Sequence, residues 1–257
     1  MAAARLAVLG VTGRMGRALV RLAAADPGWQ LVAALTAADD PQHGQDAGQL
    51  AGVGPLGVTV GDAFDGPADV LIDFSTPRAC VTWAKWCATH GAALVSGTTG
   101  LADDERAALT GAARHVPVVW APNMSVGVNV LIELVGQVAA RLGAGWDIEI
   151  TEAHHRHKVD APSGTARALY EAACRGRGFD PAAAAVPGRS GQCGPRGADE
   201  IGVHALRLGA VVGDHDVHFA ADGEIVTLSH RALSRDTFAA GALRAARWVL
   251  GRAPGQY

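Results

Sequence analysis

The stretch VLGVTGRMGRALV, Val8 to Val20, decides the fold. An apolar run is broken by Gly10, glycines return as Gly13 and Gly16, and the amphipathic RMGRALVRLAAA follows. A strand that stops in a glycine turn and opens a helix is the first half of a dinucleotide-binding unit. In such a unit the first glycine permits the tight turn, the second lets backbone approach a pyrophosphate, and the third lets helix and strand pack closely, while the helix start faces the anion. The spacing is GxxGxxG rather than GxGxxG, and taken alone it also describes a glycine turn that holds nothing.

Outward from that stretch, short apolar runs keep alternating with longer amphipathic ones. QLVAAL, ADVLIDFS, AALVSG and VPVVWAPN read as strands, and PRACVTWAKWCATHG and LADDERAALTGAAR as helices. Strands that are apolar at successive positions, rather than at every second one, belong to a parallel sheet covered on both faces. The expected fold is α/β, with a doubly wound, Rossmann-like dinucleotide-binding domain over residues 1–125.

After Asn123 the pattern changes. A helix from Ser125 to Leu142 leads into the strand WDIEITEAHH, a helix near GTARALYEAACRGR and a glycine-rich loop from Pro187 to Gly197. Three strand-like runs follow, EIGVHALRLG, GDHDVHFAA and EIVTLSHRA, the last two joined by the turn ADGE. Residues 126–235 therefore read as a second, α+β domain with a mostly antiparallel sheet. The amphipathic DTFAAGALRAARWVLGR is expected to pack back onto the first domain, which takes in residues 236–257.

Composition narrows the function. A chain of 257 residues is long enough for two domains or for one large α/β unit. Its formal net charge of -3 gives no pull toward nucleic acid or an anionic membrane surface. The apolar opening is too short to cross a bilayer and runs straight into the glycine turn. Cys80, Cys87, Cys174 and Cys193 show neither metal-finger spacing nor a disulfide framework. A cytoplasmic protein with free thiols, and with no nucleic-acid or membrane partner, is expected.

A dinucleotide domain commonly places an acid at the end of its second strand to hold the adenosine ribose. Here that strand ends in Thr36, followed by Ala37 and Ala38, and Asp39 and Asp40 read as loop charges. With no carboxylate at that edge a ribose 2'-phosphate is less repelled, and Arg14 offers it a partner, so NADPH is as plausible as NADH. Two further loops, SGTTG from Ser96 and APNMSVGVN from Ala121, follow strands of the same sheet, where ligands of such folds bind.

Lysine is rare. Of 22 lysines and arginines only Lys85 and Lys158 are lysine, and Lys158 stands in EAHHRHKVDAPSGTA, Glu152 to Ala166. A guanidinium hardly ever releases a proton, whereas an ammonium can be tuned to do so and also serves as a compact point charge. Lysine kept beside His154, His155 and His157 thus points to proton transfer, although Lys85 shows that lysine also occurs on an ordinary helix. Zinc is the competing reading of three histidines. With no cysteine or HExxH partner, and a cation alongside, no metal is expected. In an extended segment His154 and Arg156 would share one face, His155 and His157 the other. Pro162 then breaks the strand, Ser163 is a helix cap, and the amides of Gly164 and Thr165 with the Thr165 hydroxyl offer either a cradle for a carboxylate or a plain cap.

Together, EAHHRHKVDAPSGTA, GVTGRMGR, DFSTP, SGTTG and APNMSVGVN resemble the dihydrodipicolinate reductases, also called 4-hydroxy-tetrahydrodipicolinate reductases, of the diaminopimelate route to lysine. The likeness runs nearly end to end. It implies a homotetramer whose second domains share a sheet, and hydride delivery from NADH or NADPH to a cyclic dicarboxylate with loss of water. It further implies His154 and Lys158 as the acid-base pair, and His155, Gly164 and Thr165 as ligands of the substrate carboxylates. The cofactor would touch Gly10, Val11, Thr12, Gly13, Arg14 and Met15, then Thr36, then Gly97, Thr98 and Thr99, then Ala121, Pro122, Asn123 and Met124. Three departures stand out: family members commonly carry an acid where Thr36 stands, Met124 takes a place often held by phenylalanine, and many relatives continue beyond GRAPGQY. Among rivals, a reductase of another small acid or sugar has no use for HHRHKVDAPSGT, and a dinucleotide-sensing regulator has no use for a lysine among histidines. A Schiff-base lysine would leave an adduct that borohydride traps.

Overall fold

In the computed structural model, which describes residues 2–257, the chain divides into two compact units, residues 2–125 with Arg235–Tyr257, and Val126–Ser234. The first begins with β1 (Ala4–Leu9), α1 (Arg14–Ala24), β2 (Trp29–Leu35), α2 (Ala47–Ala51), β3 (Val60–Gly61), β4 (Val70–Asp73), α3 (Pro77–His90), β5 (Ala93–Ser96), α4 (Asp103–Ala112) and β6 (Pro117–Trp120). The second runs α5 (Val126–Leu142), β7 (Asp147–His154), α6 (Gly164–Arg177), β8 (Ala185–Val186), β9 (Ile201–Arg207), β10 (Gly213–Ala221) and β11 (Glu224–Ala232). The chain then returns to the first unit with α7 (Asp236–Val249) and β12 (Gly255–Gln256). Among the described residues no helix is long and apolar enough to cross a membrane.

Every pairing in the first sheet is parallel, in the order β12-β6-β5-β4-β1-β2-β3. Both faces are covered, which is why its strands do not alternate. Leu6, Val8, Val70 and Ile72 pack with α1 and α7, while Ala7, Leu9, Leu71 and Leu94 point the other way into α3 and α4. Helix boundaries follow local chemistry. The Thr76 hydroxyl caps α3 ahead of Pro77, whose missing N–H is no loss at a helix start, and Gly91 ends the helix in the left-handed region at φ +71. Asp103, Asp104 and Glu105 fill the first turn of α4, and the Glu105 carboxylate accepts from the Ala102 amide at 2.8 Å.

The second sheet has the order β11-β10-β7-β9-β8. The expected mostly antiparallel arrangement needs correction: β11, β10 and β7 pair antiparallel, but β7–β9 and β9–β8 are parallel. The reason is α6, a crossover helix that carries the chain back to the starting end of β7, so β9 runs alongside it. Ile148, Ile150, Ile201, Val217 and Phe219 form one core with Leu131, Val135, Leu169 and Ala173 of α5 and α6. The strand expected to reach His155 stops at His154 and turns, with the Lys158 amide donating to the His155 carbonyl at 3.1 Å. The alternation proposed for His155 to His157 therefore does not apply. Four elements of two to five residues, α2, β3, β8 and β12, are too short to show a period in sequence.

All four cysteines are unpaired, Cys193 exposed and the other three buried.

Candidate functional site

In the first unit the carboxyl ends of β1, β2 and β4 surround a cleft of about 330 Å³, lined in part by Gly10, Thr12, Gly13, Thr36, Phe74 and Thr76. The three glycines have different reasons to be there. Gly10 has φ +80, and a Cβ on it would lie 2.2 Å from the Phe74 carbonyl oxygen. A Cβ on Gly16 would lie 2.2 Å from the Gly10 carbonyl oxygen, so this residue lets α1 press onto the turn. A Cβ on Gly13 would lie 3.3 Å from the Gly10 carbonyl oxygen, a tight contact but not a clash, and the residue itself is exposed. No side chain caps α1, and amides in the first turn of a helix have no intrahelical acceptor. An anion fits that vacancy of partners, as a pyrophosphate would.

Asp40 is misread by the sequence argument. It is not a free loop charge: its Oδ2 accepts from the hydroxyls of Thr12 and Thr36, each at 2.7 Å, and its Oδ1 accepts from the Gln42 amide at 2.9 Å. Hydrogen bonds from Thr12 and Thr36, then Gln42, hold its carboxyl below the usual carboxylate range. An acid therefore does stand at the end of β2, supplied four residues late by a turn that folds back.

The SGTTG loop is organised by a residue that sequence reasoning passed over, Asp73. Fully buried at the end of β4, it accepts from the hydroxyls of Ser75 (2.5 Å), Ser96 (2.7 Å) and Thr98 (2.8 Å). The Phe74 ring lies over Gly97, where a Cβ would come within 2.2 Å of it. Trp120 donates to the Thr98 carbonyl at 2.9 Å. Val11, Thr98 and Met124 are buried, whereas Gly13, Arg14, Thr99 and Pro122 are exposed. Behind the APNM loop sits α7, whose Gly241 leaves no room for a Cβ beside the Met124 carbonyl.

In the second unit Ile148, Ile150, Glu152 and His154 share one face of β7, and the last two convert an apolar stripe into a polar end. Glu152 is fully buried. It accepts from His154 Nδ1 at 2.5 Å, from the two ends of the Arg207 guanidinium at 3.0 and 3.1 Å, and from the Ser163 amide at 3.1 Å. Burial works against its charge, but hydrogen bonds from Arg207 and His154 outweigh that and bring the carboxyl below its ordinary value. The pairing fixes which ring nitrogen of His154 faces the protein, so Nε2 is the one left for chemistry.

His215 packs edge-on to His154 at 5.2 Å between centroids, and its Nε2 meets the Ser163 hydroxyl at 3.1 Å. Burial, then the charge on His154, pushes His215 down to about 4, so it is neutral at physiological pH. Ser163 also caps α6 by accepting from the Ala166 amide at 3.1 Å. The α6 start is open: Gly164 is exposed, and a Cβ there would meet nothing within 4 Å.

Sequence reasoning found His154, Gly164 and Thr165, which the structure gathers around the end of β7 and the start of α6. It also read Ser163 as the helix cap it is, but not its contact with His215, and it missed Glu152, Arg207 and His215. An acid at an inward position of an otherwise apolar strand was the available signal for Glu152. Lys158 is partly buried, and its ammonium is held not by a histidine but by Asp160, at 2.8 and 2.9 Å. The His155 and His157 rings tilt toward each other at 6.2 Å. Among the described residues no three of His, Cys, Asp and Glu stand where they could hold one metal ion.

Residues 4–124 match the family model described as dihydrodipicolinate reductase, N-terminus, and residues 127–257 the model described as dihydrodipicolinate reductase, C-terminus. The 4-hydroxy-tetrahydrodipicolinate reductase of Chromohalobacter salexigens is 50% identical over 260 residues, covering 98% of this chain and 96% of that protein. The enzyme of the same name from Thiobacillus denitrificans is 53% identical over 257 residues, with the same two shares covered. Among solved structures, a dipicolinate-bound dihydrodipicolinate reductase from Paenisporosarcina sp. TG-14 superposes with a TM-score of 0.75 at 22% identity, over 99% of this chain and 97% of that one.

Proposed function

The chain belongs to the dihydrodipicolinate reductase family, and from that membership we propose how its own residues carry out the reaction. The activity is reduction of 4-hydroxy-tetrahydrodipicolinate by NAD(P)H in the diaminopimelate route to lysine. Water leaves the substrate to give dihydrodipicolinate; one hydride and one proton then add to the ring, giving tetrahydrodipicolinate. The reduced nicotinamide supplies the hydride when bound. Everything else falls to side chains and amides of this protein.

The observation that carries the reading is the polar end of β7, where His154, clamped by buried Glu152, adjoins the open start of α6. The amides of Gly164, which is exposed, and Thr165 bind one ring carboxylate, as a helix start favours an anion, and His155 contributes to the second. Lys158 holds negative charge as it develops and delivers the proton to the ring carbon next to the one that received hydride, with His154 relaying it. Asp160, which grips the Lys158 ammonium with both oxygens, occupies it as a substrate carboxylate would. In the first unit, the turn from Gly10 to Met15 takes the pyrophosphate, while Gly97, Thr98, Thr99 and the backbone from Ala121 to Met124 form the nicotinamide side. The cleft, the exposed Gly13 and the uncapped start of α1 fit such a group.

Assembly as a homotetramer through the second unit agrees with its apolar exposure. Val126, Val130 and Leu134 lie on one exposed stripe of α5, and Ile225 and Leu233 are more than half exposed. A chain of this class works in the cytoplasm, where its dinucleotide is found.

Lys158→Met is the deciding experiment. Turnover is expected to fall by roughly 100-fold or more, the usual worth of a positioned proton donor, while NADH and NADPH still bind with wild-type dissociation constants. Turnover close to wild type would remove Lys158 from the mechanism.

A further inference from the structure

A dinucleotide fold reads the adenosine ribose at the edge of its second strand, with a carboxylate that accepts from the ribose hydroxyls and repels a 2'-phosphate. At that edge this chain has Thr36 and Ala37, neither of which ionises. The carboxylate arrives instead from Asp40, whose Oδ2 is pinned between Thr12 of the glycine turn and Thr36 of the strand end. We propose that Asp40, held by Thr12 and Thr36, is the residue by which this enzyme distinguishes NADH from NADPH, in favour of NADH. The proposal rests on the cofactor site assigned above.

The hydrogen-bond inventory supports it. A carboxylate has about four acceptor sites, and the Thr12, Thr36 and Gln42 donors use three, which leaves one on Oδ1 for a ribose hydroxyl. The two threonine hydroxyl oxygens, 3.2 Å apart, stay able to accept. A phosphate in the same place would set its charge against an ionised carboxylate whose position the turn does not let it abandon. The nearby cation does not cancel this. Arg17 directs two of its five N–H donors into the turn, to the Thr12 carbonyl at 3.0 Å and the Gln42 side chain at 2.9 Å, and its charge already helps hold Asp40 ionised. Arg14, exposed at the start of α1 and with no hydrogen bond to the turn among the described residues, is the cation that speaks most for NADPH.

The test compares wild type, Asp40→Asn and Asp40→Ser, the last removing the carboxylate without adding bulk to the turn. Dissociation constants for NADH and NADPH are measured by calorimetry without substrate, and the ratio of kcat/KM for the two cofactors is measured separately. Wild type is expected to prefer NADH, and both variants to lose that preference by roughly tenfold or more, the scale of one charge-assisted hydrogen bond. A wild type that binds both equally, or a ratio unmoved in both variants, overturns the proposal. A ratio that moves only in Arg14→Ala gives the discrimination to Arg14 and overturns it as well. If neither dinucleotide binds wild type, the cofactor site itself is wrong and the proposal falls with it. If both bind and Asp40 has no effect, the site stands and the proposal alone is lost.

Discussion

Glu152→Gln puts the clamp on His154 to the test. The carboxylate has no solvent exposure and accepts four hydrogen bonds, two of them from opposite ends of the Arg207 guanidinium. Glutamine keeps the shape but turns one oxygen into NH2. Because Arg207 donates to both oxygens, that NH2 confronts an N–H of Arg207 whichever way the amide is set. Removing one side of a buried ion pair costs about 3–5 kcal/mol. The Arg207 side chain keeps 22% of its exposure and can turn toward water, which places this site at the low end. A loss of about 3 kcal/mol in unfolding free energy is therefore expected from urea titration. The reaction should suffer as well, since the ring loses the negative charge that holds its Nδ1 proton, whichever way the amide is set. Supporting groups of this kind are typically worth roughly 10- to 100-fold, so kcat should drop by that factor while NADH affinity holds. A variant that unfolds at the wild-type midpoint and turns over within roughly twofold of wild type would refute the reasoning.

Gly13 and Gly16 should behave differently. Gly16→Ala has nowhere to put its methyl, so the first unit should lose stability by more than about 2 kcal/mol, visible as a lower Tm. Gly13→Ala brings its methyl to 3.3 Å from the Gly10 carbonyl oxygen, a contact that a small shift relieves, so its Tm should fall by less than that of Gly16→Ala while the dissociation constant for NADH rises at least roughly tenfold, read by fluorescence. His215 carries a pH dependence. Its folded value, about 4, lies below its ordinary one, so its contribution is complete above about 6.5 and is lost as pH falls toward 4. Between pH 7 and pH 5 wild type should lose about 2 kcal/mol that His215→Asn does not, by urea titration at the two pH values. Equal losses in both proteins would assign the acid sensitivity elsewhere.

Much of the first unit was legible because its signals are local. Two-faced burial writes Leu6, Ala7, Val8 and Leu9 as an unbroken apolar run, and the glycine turn follows at once. Asp40 was not legible: its role depends on a turn folding back onto Thr12 and Thr36, and nothing in the residue order announces that. The second sheet was read from three consecutive strand-like runs, which suggest a meander. Which side of β7 each would join is settled by where α6 delivers the chain, a tertiary matter. His154 and Gly164 were visible in their motif. Arg207 and His215 lie about fifty residues away from Glu152 and Ser163 in sequence, and only strand pairing brings them in: Arg207 stands opposite His154, and His215 opposite Glu152.

The thiols offer a practical handle. Cys80 and Cys87 are sealed in the first core, with burial pushing both well above the ordinary thiol value, and Cys174 is enclosed beside α5. Cys193 alone faces water, on the glycine-rich loop. A maleimide dye added to native enzyme therefore attaches at one place per chain, and reports on that loop without any engineered cysteine.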